Sequence, residues 1–416
     1  MIKLNQIILG DCLETMRTWP DKFVHTVVTS PPYWGLRDYG VKGQLGLEKT
    51  PEEYVAKMVA VFKEVKRVLK DDGTLWLNIG DSYWGGKGQS SQAWSTAHTD
   101  RGVIQGPQHQ IAGKGQTRPQ DGKHESIKPK DLVGIPWRVA FALQADGWYL
   151  RSDIIWHKPN PMPESVTDRP TKSHEYIFLL TKSERYFYDA EAIREPFADI
   201  RMGASGAKIG TPEKYAADAG RSGDKGLSVF SGADRVGRNK RTVWTISTKP
   251  FSEAHFATFP EELVEPCVMA GTSDAGVCEV CGTPWERLIE FKRSNESNGA
   301  KNTHPSGWDR GEGSHNKKVG RYPNGKGVVN GQAREKHDVR DGPCVRTTTK
   351  GWNPTCECKY EGMNRAVVLD PFMGAGTTAL VAARLNRNFI GCELNPEYKR
   401  IADKRVASEL AQGKFL

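Results

Sequence analysis

The sequence contains no apolar segment near the roughly 20 consecutive residues that a membrane-spanning helix requires. Its first ten residues also lack the basic stretch and the apolar run of a secretion signal. Only eight of the 416 residues are cysteines, which argues against a disulfide framework in a chain without such a signal. These absences predict a cytoplasmic protein without membrane association, in which the cysteines bind metal, take part in catalysis or pack in the core.

Acidic residues are outnumbered by basic ones, and the formal net charge is +9. The excess lies in three segments rich in Gly, Ser, Asn and Gln, at 86–130, 197–241 and 278–360. Together they contain 31 Lys and Arg against 18 Asp and Glu, or +13, so the other 243 residues carry −4. Basic surface segments favour a polyanionic partner such as nucleic acid. The alternative is that each segment is an ordinary solvated loop.

Outside these segments, the hydrophobic pattern alternates between strands and helices. Short apolar runs predict buried strands at 7–9, 24–28 and 74–79. Thr50-Pro51-Glu52-Glu53 has the capping hydroxyl and early proline of a helix start, and we expect Gly73 to end that helix. The alternation returns towards the carboxyl terminus, so the sequence predicts an α/β fold.

The first motif that carries chemistry is Thr29-Ser30-Pro31-Pro32-Tyr33-Trp34, directly after a predicted strand. Its two prolines exclude a helix and hold the backbone extended, so Ser30 is presented at the carboxyl end of the strand, where open α/β sheets bind ligands. A hydroxyl and a carbonyl there can accept hydrogen bonds from an exocyclic amine, and Tyr33 offers a ring on which a base can stack. Alternatively, the turn only ends the strand.

The second motif, VVLDPFMGAGTT at 367–378, combines a buried strand, an acid, a glycine turn and a helix start. Glycines let the backbone approach a ligand, and the helix start offers free N–H groups. It is not a P-loop, because Thr377 stands where a lysine is required, and the dinucleotide fingerprint is incomplete. Glu393 closes the next strand, about where an acid contacts ribose in dinucleotide folds. A purely structural turn is the alternative.

Together, SPPYW and DPFMGAGTT resemble the DNA amino-methyltransferases that depend on S-adenosylmethionine, and the stretch Trp156-His157-Lys158-Pro159-Asn160 is similar as well. The order of the motifs resembles the circularly permuted β group of that family. The resemblance implies a doubly wound, Rossmann-like methyltransferase sheet in which the first and last strands are close. We expect its core to comprise 1–85, 131–196, 242–277 and 363–416, with the three basic segments as insertions.

The resemblance also implies roles for individual residues. Asp11 would contact the adenine of S-adenosylmethionine and Glu393 its ribose. The methionine end would be held by Asp370, Pro371, Phe372, Gly374, Gly376 and Thr377. A base flipped out of double-stranded DNA would be held by the catalytic residues Ser30, Pro31, Pro32, Tyr33 and Trp34.

Serine at position 30 favours transfer to cytosine N4 in this family, whereas aspartate or asparagine usually accompanies adenine N6. The predicted function is therefore site-specific DNA methylation, with cytosine N4 as the preferred target. Adenine N6 methylation, RNA base methylation and an inactive zinc-containing DNA-binding protein are the alternatives. The family also implies a bacterial, archaeal or phage origin and a cognate restriction endonuclease as a partner.

Two close cysteine pairs, Cys278-x-x-Cys281 and Cys356-x-Cys358, suit a tetrahedral structural zinc site that stabilises the third segment. Cys344 or a histidine such as His337 could replace one ligand, and four unrelated reduced thiols are the alternative. The remaining cysteines outside this segment are expected to be buried small hydrophobic residues, at positions 12, 267 and 392.

Sequence recognition is expected in 197–241, because the β group places its target-recognition segment between the two halves of the core. The basic residues expected to contact DNA there are Arg221, Lys225, Arg235, Arg238, Lys240 and Arg241. A solvated loop is the alternative. The segment 86–130 is a further candidate for contacting DNA.

Overall fold

The computed structural model describes residues 2–85, 123–195, 234–236, 238–249, 259–293, 345–358 and 362–412. Contacts divide the chain into two units. The first comprises Met1–Pro196, Arg238–Leu288 and Lys350–Leu416, and the second comprises Phe197–Gly237 and Ile289–Thr349. Among the helices in the described ranges, none is long and apolar enough to cross a membrane.

The described residues form thirteen strands and six α-helices, with one 3-10 turn at Ala190–Ile193. The strands are β1 (Gln6–Leu9), β2 (Val24–Thr29), β3 (Leu69–Ile79), β4 (Tyr149–His157), β5 (His174–Thr181), β6 (Asp234–Val236), β7 (Val243–Thr245), β8 (Val277–Cys278), β9 (Glu286–Arg293), β10 (Val345–Asn353), β11 (Met363–Asn364), β12 (Val367–Asp370) and β13 (Asn388–Glu393). The helices are α1 (Cys12–Arg17), α2 (Pro51–Val68), α3 (Ile135–Ala145), α4 (Glu261–Gly271), α5 (Thr377–Arg384) and α6 (Pro396–Gln412).

Eight strands form one sheet in the order β1-β13-β12-β2-β3-β5-β4-β7. The first five are parallel, β5 runs antiparallel to both β3 and β4, and β7 is parallel to β4. This arrangement confirms the predicted α/β class and the doubly wound sheet. The antiparallel β5 was not part of the prediction, because a buried strand has the same apolar pattern in either direction.

Helices cover both faces of the sheet. Helices α1, α2 and α3 contribute to one buried cluster, and α4, α5 and α6 contribute to the other. All six residues of β2 are buried, as expected for a central strand that packs against helices on both sides.

The order of the strands reverses between β12 and β2. From β2 the chain passes through α2 to β3 on one side, whereas from β12 it passes through α5 to β13 on the other. In open α/β sheets such a reversal leaves a crevice at the carboxyl ends of the two strands, and ligands bind there. The SPPYW motif follows β2 and the DPFMGAGTT motif begins at the last residue of β12, so both reach this crevice. The first strand pairs with the last, Ile8 opposite Cys392, as the resemblance implied.

Helix α2 begins as predicted, with the Thr50 hydroxyl accepting a hydrogen bond from the Glu53 N–H at 3.2 Å. The expectation that Gly73 ends this helix is wrong, because the helix ends at Val68 and Gly73 lies inside β3. A Cβ at Gly73 would lie 2.5 Å from Leu69 Cδ1. The glycine is therefore needed for close packing within the sheet.

The third basic segment, predicted as one insertion at 278–360, is divided between the two units. Its first part, to Leu288, and its last part, from Lys350, belong to the unit that contains the sheet. In the other unit, β6 pairs antiparallel with β10, with Arg346 opposite Val236.

Candidate active site and cysteine cluster

A cavity of about 710 Å³ lies at the carboxyl ends of β1, β2, β12 and β13. Both sequence motifs contribute to its lining. From the first motif come Ser30, Pro31, Pro32 and Tyr33, and from the second come Pro371, Phe372, Gly374 and Thr377. Asp11 and Glu393 also line it. The structure therefore brings residues more than 300 positions apart in the chain into one cavity.

At one end of the cavity, hereafter the base end, Tyr33 and Ser30 belong to a hydrogen-bonded network. The Tyr33 hydroxyl donates to Glu175 Oε2 at 2.7 Å and lies 3.0 Å from Asn78 Oδ1. The Ser30 hydroxyl lies 3.3 Å from the same Asn78 oxygen and 3.4 Å from the Tyr33 hydroxyl. These two separations are long for O–H···O contacts, so the Ser30 hydroxyl remains able to bind a ligand.

The network continues to Lys158, whose ammonium donates to Glu175 Oε1 and lies 4.2 Å from the centroid of the Trp156 ring. Burial and the negative charge of Glu175 raise the pKa of Tyr33 well above its usual value. Tyr33 is therefore a neutral phenol that donates to the carboxylate. A Cβ at Gly80 would lie 2.5 Å from the Tyr33 ring, so the ring is also held by close packing.

Sequence reasoning did not assign roles to Asn78, Glu175 or Lys158. All three line the cavity; Asn78 lies on β3, Glu175 lies on β5, and Lys158 directly follows β4. One available signal was the single asparagine in the apolar strand sequence TLWLNI, since a buried amide requires hydrogen-bond partners. Its amide nitrogen donates to the Tyr176 carbonyl oxygen at 3.1 Å.

At the other end of the cavity, hereafter the cofactor end, acidic groups are held by backbone N–H groups. Glu393 accepts hydrogen bonds from the Gly374 N–H at 2.7 Å and from the Asn395 N–H at 2.8 Å. Asp11 caps α1 by accepting from the Leu13 N–H at 2.9 Å. Burial raises the pKa of Glu393, although its contacts with backbone donors favour the carboxylate.

Two residues predicted to hold the methionine end do not line the cavity. Asp370 is fully buried, and its carboxylate accepts hydrogen bonds from the hydroxyls of Thr29 at 2.6 Å and Thr378 at 2.7 Å. It therefore joins the end of β2 to the glycine turn rather than facing a ligand, and burial raises its pKa to about 6. Gly376 has φ of +80°, and a Cβ there would lie 2.8 Å from Ala402 Cβ, so this glycine is required by packing against α6.

Trp34, predicted to contact the base, is also placed elsewhere. Its side chain is fully buried, its ring stacks on Trp84 with centroids 5.8 Å apart, and its indole N–H donates to the Glu48 carbonyl at 2.9 Å. The prediction followed its position beside Tyr33, but the turn directs the two rings to different places. A side chain that stacks on a base must be partly exposed, whereas Trp34 is fully buried.

The four predicted metal ligands do converge. One ligand atom from each of Cys278, Cys281, Cys356 and Cys358 lies within 4.8 Å of the others. Four thiolates at the usual Zn–S distance of about 2.3 Å would be about 3.8 Å apart, so this set of soft donors fits zinc and could bind a metal ion. Cys12, Cys267 and Cys392 are buried as expected. Cys344 and His337 lie outside the described residues.

The predicted DNA-binding residues are described only in part, because Arg221 and Lys225 lie outside the described residues, as do most of 86–130 and 197–241. Arg235 lies on β6. Arg238 and Arg241 both pair with Glu195, at 2.8 and 2.6 Å. Lys240 lies 4.8 Å from the centroid of the Trp244 ring. Their contact with DNA stays a prediction.

Comparison with known proteins gives related sequences over nearly the whole chain. The profile of a family described as DNA methylase matches residues 24–278 and 355–404. Type II methyltransferase M.Cfr9I of Citrobacter freundii is 38% identical over 400 residues, covering 96% of this chain and 87% of the relative. Type II methyltransferase M.SmaI of Serratia marcescens is 36% identical over 401 residues, with 96% and 90% coverage.

Among solved structures, the cytosine-N4-specific PvuII DNA methyltransferase aligns with a TM-score of 0.47 at 15% identity, covering 99% of this chain and 94% of that chain. A putative DNA modification methylase from Thermus thermophilus, solved with S-adenosyl-L-methionine, aligns with a TM-score of 0.44 at 19% identity, with 97% and 94% coverage. The two matched stretches of the family profile contain both cavity motifs and three of the four clustered cysteines, whereas Cys281 lies just beyond the first stretch.

Proposed function

The chain belongs to the DNA methylase family of N4 and N6 amino-methyltransferases and is a Type II DNA methyltransferase; from this premise we propose that it transfers a methyl group from S-adenosylmethionine to N4 of a cytosine in double-stranded DNA. One observation carries the proposal. The motif that suits an exocyclic amine and the motif that suits the cofactor open into a single cavity at the strand-order reversal.

When bound, S-adenosylmethionine would supply a methyl group on a sulfonium, which needs little further activation. The residues that would hold it are those at the cofactor end, with Glu393 and Asp11 as acceptors for hydroxyl and amino groups and Phe372 as an apolar wall. The main contribution of the chain would then be alignment of the two reactants in a water-poor cavity.

At the base end, the Ser30 hydroxyl and the Pro31 carbonyl would accept hydrogen bonds from the two hydrogens of the target amine. These contacts draw the amine lone pair out of conjugation with the ring and make it a better nucleophile. No covalent bond between enzyme and base is required. Tyr33, held by Glu175 and by Gly80, would stack on the flipped base and offset part of the few kcal/mol that flipping costs.

Serine at position 30 supports the preference for cytosine N4, and identification of the methylated nucleoside tests it. DNA methylated by the purified protein is digested to nucleosides and analysed by mass spectrometry. N4-methylcytosine is the expected product, and N6-methyladenine would overturn the assignment of the base. Competition between duplex DNA and structured RNA tests the polynucleotide, with transfer to DNA expected.

We also propose that the four clustered cysteines bind one structural zinc ion. Metal analysis of protein purified without chelator should give about one zinc per chain, and Cys281→Ser should lower that content. Well under one zinc in the wild-type protein would contradict the proposal. Because classical small zinc sites contribute directly to folding, we expect the loss of metal to lower the melting temperature.

Double-stranded DNA is the proposed partner, bound in part by the basic segments, and a restriction endonuclease that cuts the same sequence is the proposed biological counterpart. The charge distribution supports the binding of DNA, because the excess of basic residues lies entirely in 86–130, 197–241 and 278–360. Sequencing of DNA methylated in vitro identifies the recognition sequence. An endonuclease that cuts this sequence and is blocked by the modification would support the proposed restriction endonuclease.

A further inference from the structure

Two side chains from the central strands contact the turn that carries the first cysteine pair. His25, on β2 and 6% exposed, lies with Nε2 3.0 Å from the Gly282 carbonyl oxygen. Lys70, on β3, donates to the Cys281 carbonyl oxygen at 2.9 Å. Gly282 has φ of +70°, and a Cβ there would lie 2.6 Å from Lys70 Cε. The cysteine turn therefore packs directly against the sheet.

His25 makes a second contact, to the strand that leads into the cofactor motif. The backbone N–H of Val367, the first residue of β12, donates to His25 Nδ1 at 2.9 Å. Because Nδ1 accepts this bond, the ring proton lies on Nε2, which then donates to Gly282. A single buried imidazole thus connects the turn of Cys278 and Cys281 with the start of β12.

The second cysteine pair is connected to the same strand through the main chain. Between Cys358 and Val367, the short strand β11 pairs with β8, and Met363 lies opposite Cys278. A metal ion bound by all four thiolates would therefore hold together the two segments that precede β12, while His25 holds the first residue of β12. The start of this strand would be fixed from both sides.

The position of β12 along β2 determines how the two halves of the cavity meet. Val368 lies opposite Thr26 and Leu369 opposite Val27, and at the far end the Thr29 hydroxyl donates to Asp370. At about 3.3 Å per residue, Val367 and Asp370 are roughly 10 Å apart along β12. A paired strand cannot lengthen over such a distance, so a shift at its start is passed to the cofactor loop.

We propose that His25 is a positioning residue through which metal binding at the cysteine cluster strengthens the binding of S-adenosylmethionine at the opposite end of the sheet. The inference rests on the proposed zinc site and the proposed cofactor, and it adds a role for the metal that concerns cofactor affinity rather than contact with DNA.

The test uses the reciprocity of coupled binding, with zinc and S-adenosylmethionine as probes and without DNA, so that no turnover occurs. Calorimetric titration of zinc-loaded and zinc-depleted protein should show that zinc raises cofactor affinity by about 10-fold, within the usual range for coupled sites. A competitive chelator titration should then show that the cofactor raises zinc affinity by the same factor.

Two variants separate the contribution of His25 from general support of the cysteine turn. His25→Asn keeps a side-chain oxygen near Val367 but is too short to reach Gly282, and we expect it to retain zinc while the coupling factor falls to about one. Lys70→Met removes the other contact with the turn, to the Cys281 carbonyl, and we expect it to retain most of the coupling. Melting temperatures of both zinc-loaded variants control for unfolding.

Each outcome decides between the proposals. Absence of zinc from the wild-type protein would overturn the zinc site together with this inference. Bound zinc without any effect on cofactor affinity would overturn this inference alone, as would an equal loss of coupling in both variants. If the zinc-depleted protein unfolds, the KM for the cofactor is measured with the zinc-loaded variants instead. A raised KM with an unchanged kcat in His25→Asn, but not in Lys70→Met, would support the positioning role of His25. Equal KM values in the two variants would overturn it.

Discussion

The two ends of the cavity are built in different ways. At the base end, side chains from distant strands hold one another, with Glu175 of β5 connecting Tyr33, Asn78 and Lys158. At the cofactor end, the turn after β12 supplies a contiguous part of the wall, and backbone N–H groups hold the acidic side chain of Glu393. The base end therefore depends on tertiary contacts among side chains, whereas the cofactor end depends mainly on local backbone geometry.

The largest effect is expected from the residue that would contact the target amine. Ser30→Ala leaves the proline turn intact but removes the hydroxyl acceptor, so we expect kcat to fall by about 10²- to 10³-fold, as for the loss of one preorganised polar contact to the reacting group. Single-turnover methylation of duplex DNA measures this change. Cofactor affinity, measured by calorimetry, should be unchanged, and a comparable loss of that affinity would contradict the separation of the two ends.

A substitution at the cofactor end should lower the affinity for the cofactor rather than kcat. Glu393→Ala removes the acceptor for the Gly374 and Asn395 N–H groups as well as the proposed contact with the ribose hydroxyls. We expect a loss of about 2 to 3 kcal/mol in cofactor binding, or roughly 100-fold in Kd, typical for a charged hydrogen-bonding group. Glu397→Ala, an exposed position in the first turn of α6, is the matched control and should bind the cofactor normally.

A smaller effect is expected from Glu175, which supports the base end by holding Tyr33. Glu175→Gln keeps the size of the side chain but replaces one of the oxygens that accept from Tyr33 and Lys158. Because Tyr33 would lose part of its orientation, we expect kcat to fall by about 10-fold, or 1.4 kcal/mol. Lys158→Met keeps the hydrogen bond between Tyr33 and Glu175 but removes the positive charge of Lys158. It therefore distinguishes the effect of Tyr33 orientation on kcat from the effect of charge in the cavity. An unchanged kcat in both variants would show that Tyr33 needs no such support.

The smallest effect concerns Asp370, which joins the two ends. Its folded pKa of about 6 lies above the ordinary value of 3.8, so the folded state binds the proton more tightly than the unfolded state. Its contribution to stability is therefore present below about pH 4 and is lost as the pH rises to about 6. We expect about 1 kcal/mol less stability from this group at pH 7 than at pH 5.

Urea unfolding of the wild-type protein and Asp370→Asn at both pH values measures that contribution. The variant cannot titrate at this position, so the difference between the two proteins should change with pH in the stated direction. A constant difference would show that Asp370 has no raised pKa in the folded state.

Much of the cofactor end was predictable because its residues are contiguous. The strand, acid and glycine turn of 367–378 have characteristic local patterns, and four of the predicted cofactor residues that line the cavity lie in this one short segment: Pro371, Phe372, Gly374 and Thr377. Asp370 and Gly376 belong to the same motif but do not line the cavity, because a motif does not distinguish a residue that faces a ligand from one that supports the turn.

The base end could be predicted only in part. The turn SPPY was recognised from its prolines and its place after a strand, but Trp34 beside it is packed against Trp84. Glu175 reaches the cavity because β5 runs antiparallel to β3 and therefore begins at this edge of the sheet, and Lys158 reaches it because β4 runs in the same direction as β3 and ends there. The direction of a buried strand is not encoded in its own apolar pattern, so these residues could not be placed from sequence alone.

The sequence by itself determined the α/β alternation, the two cavity motifs and the two cysteine pairs, because periodicity, turn residues and short spacings are local properties of the chain. Tertiary structure decided which of these residues meet. The strand order placed β2 beside β12, so two motifs from opposite ends of the chain line one cavity, and His25 lies between the cysteine turn and the start of β12. Such contacts depend on pairing between strands that are more than 300 residues apart, and no local pattern specifies that pairing.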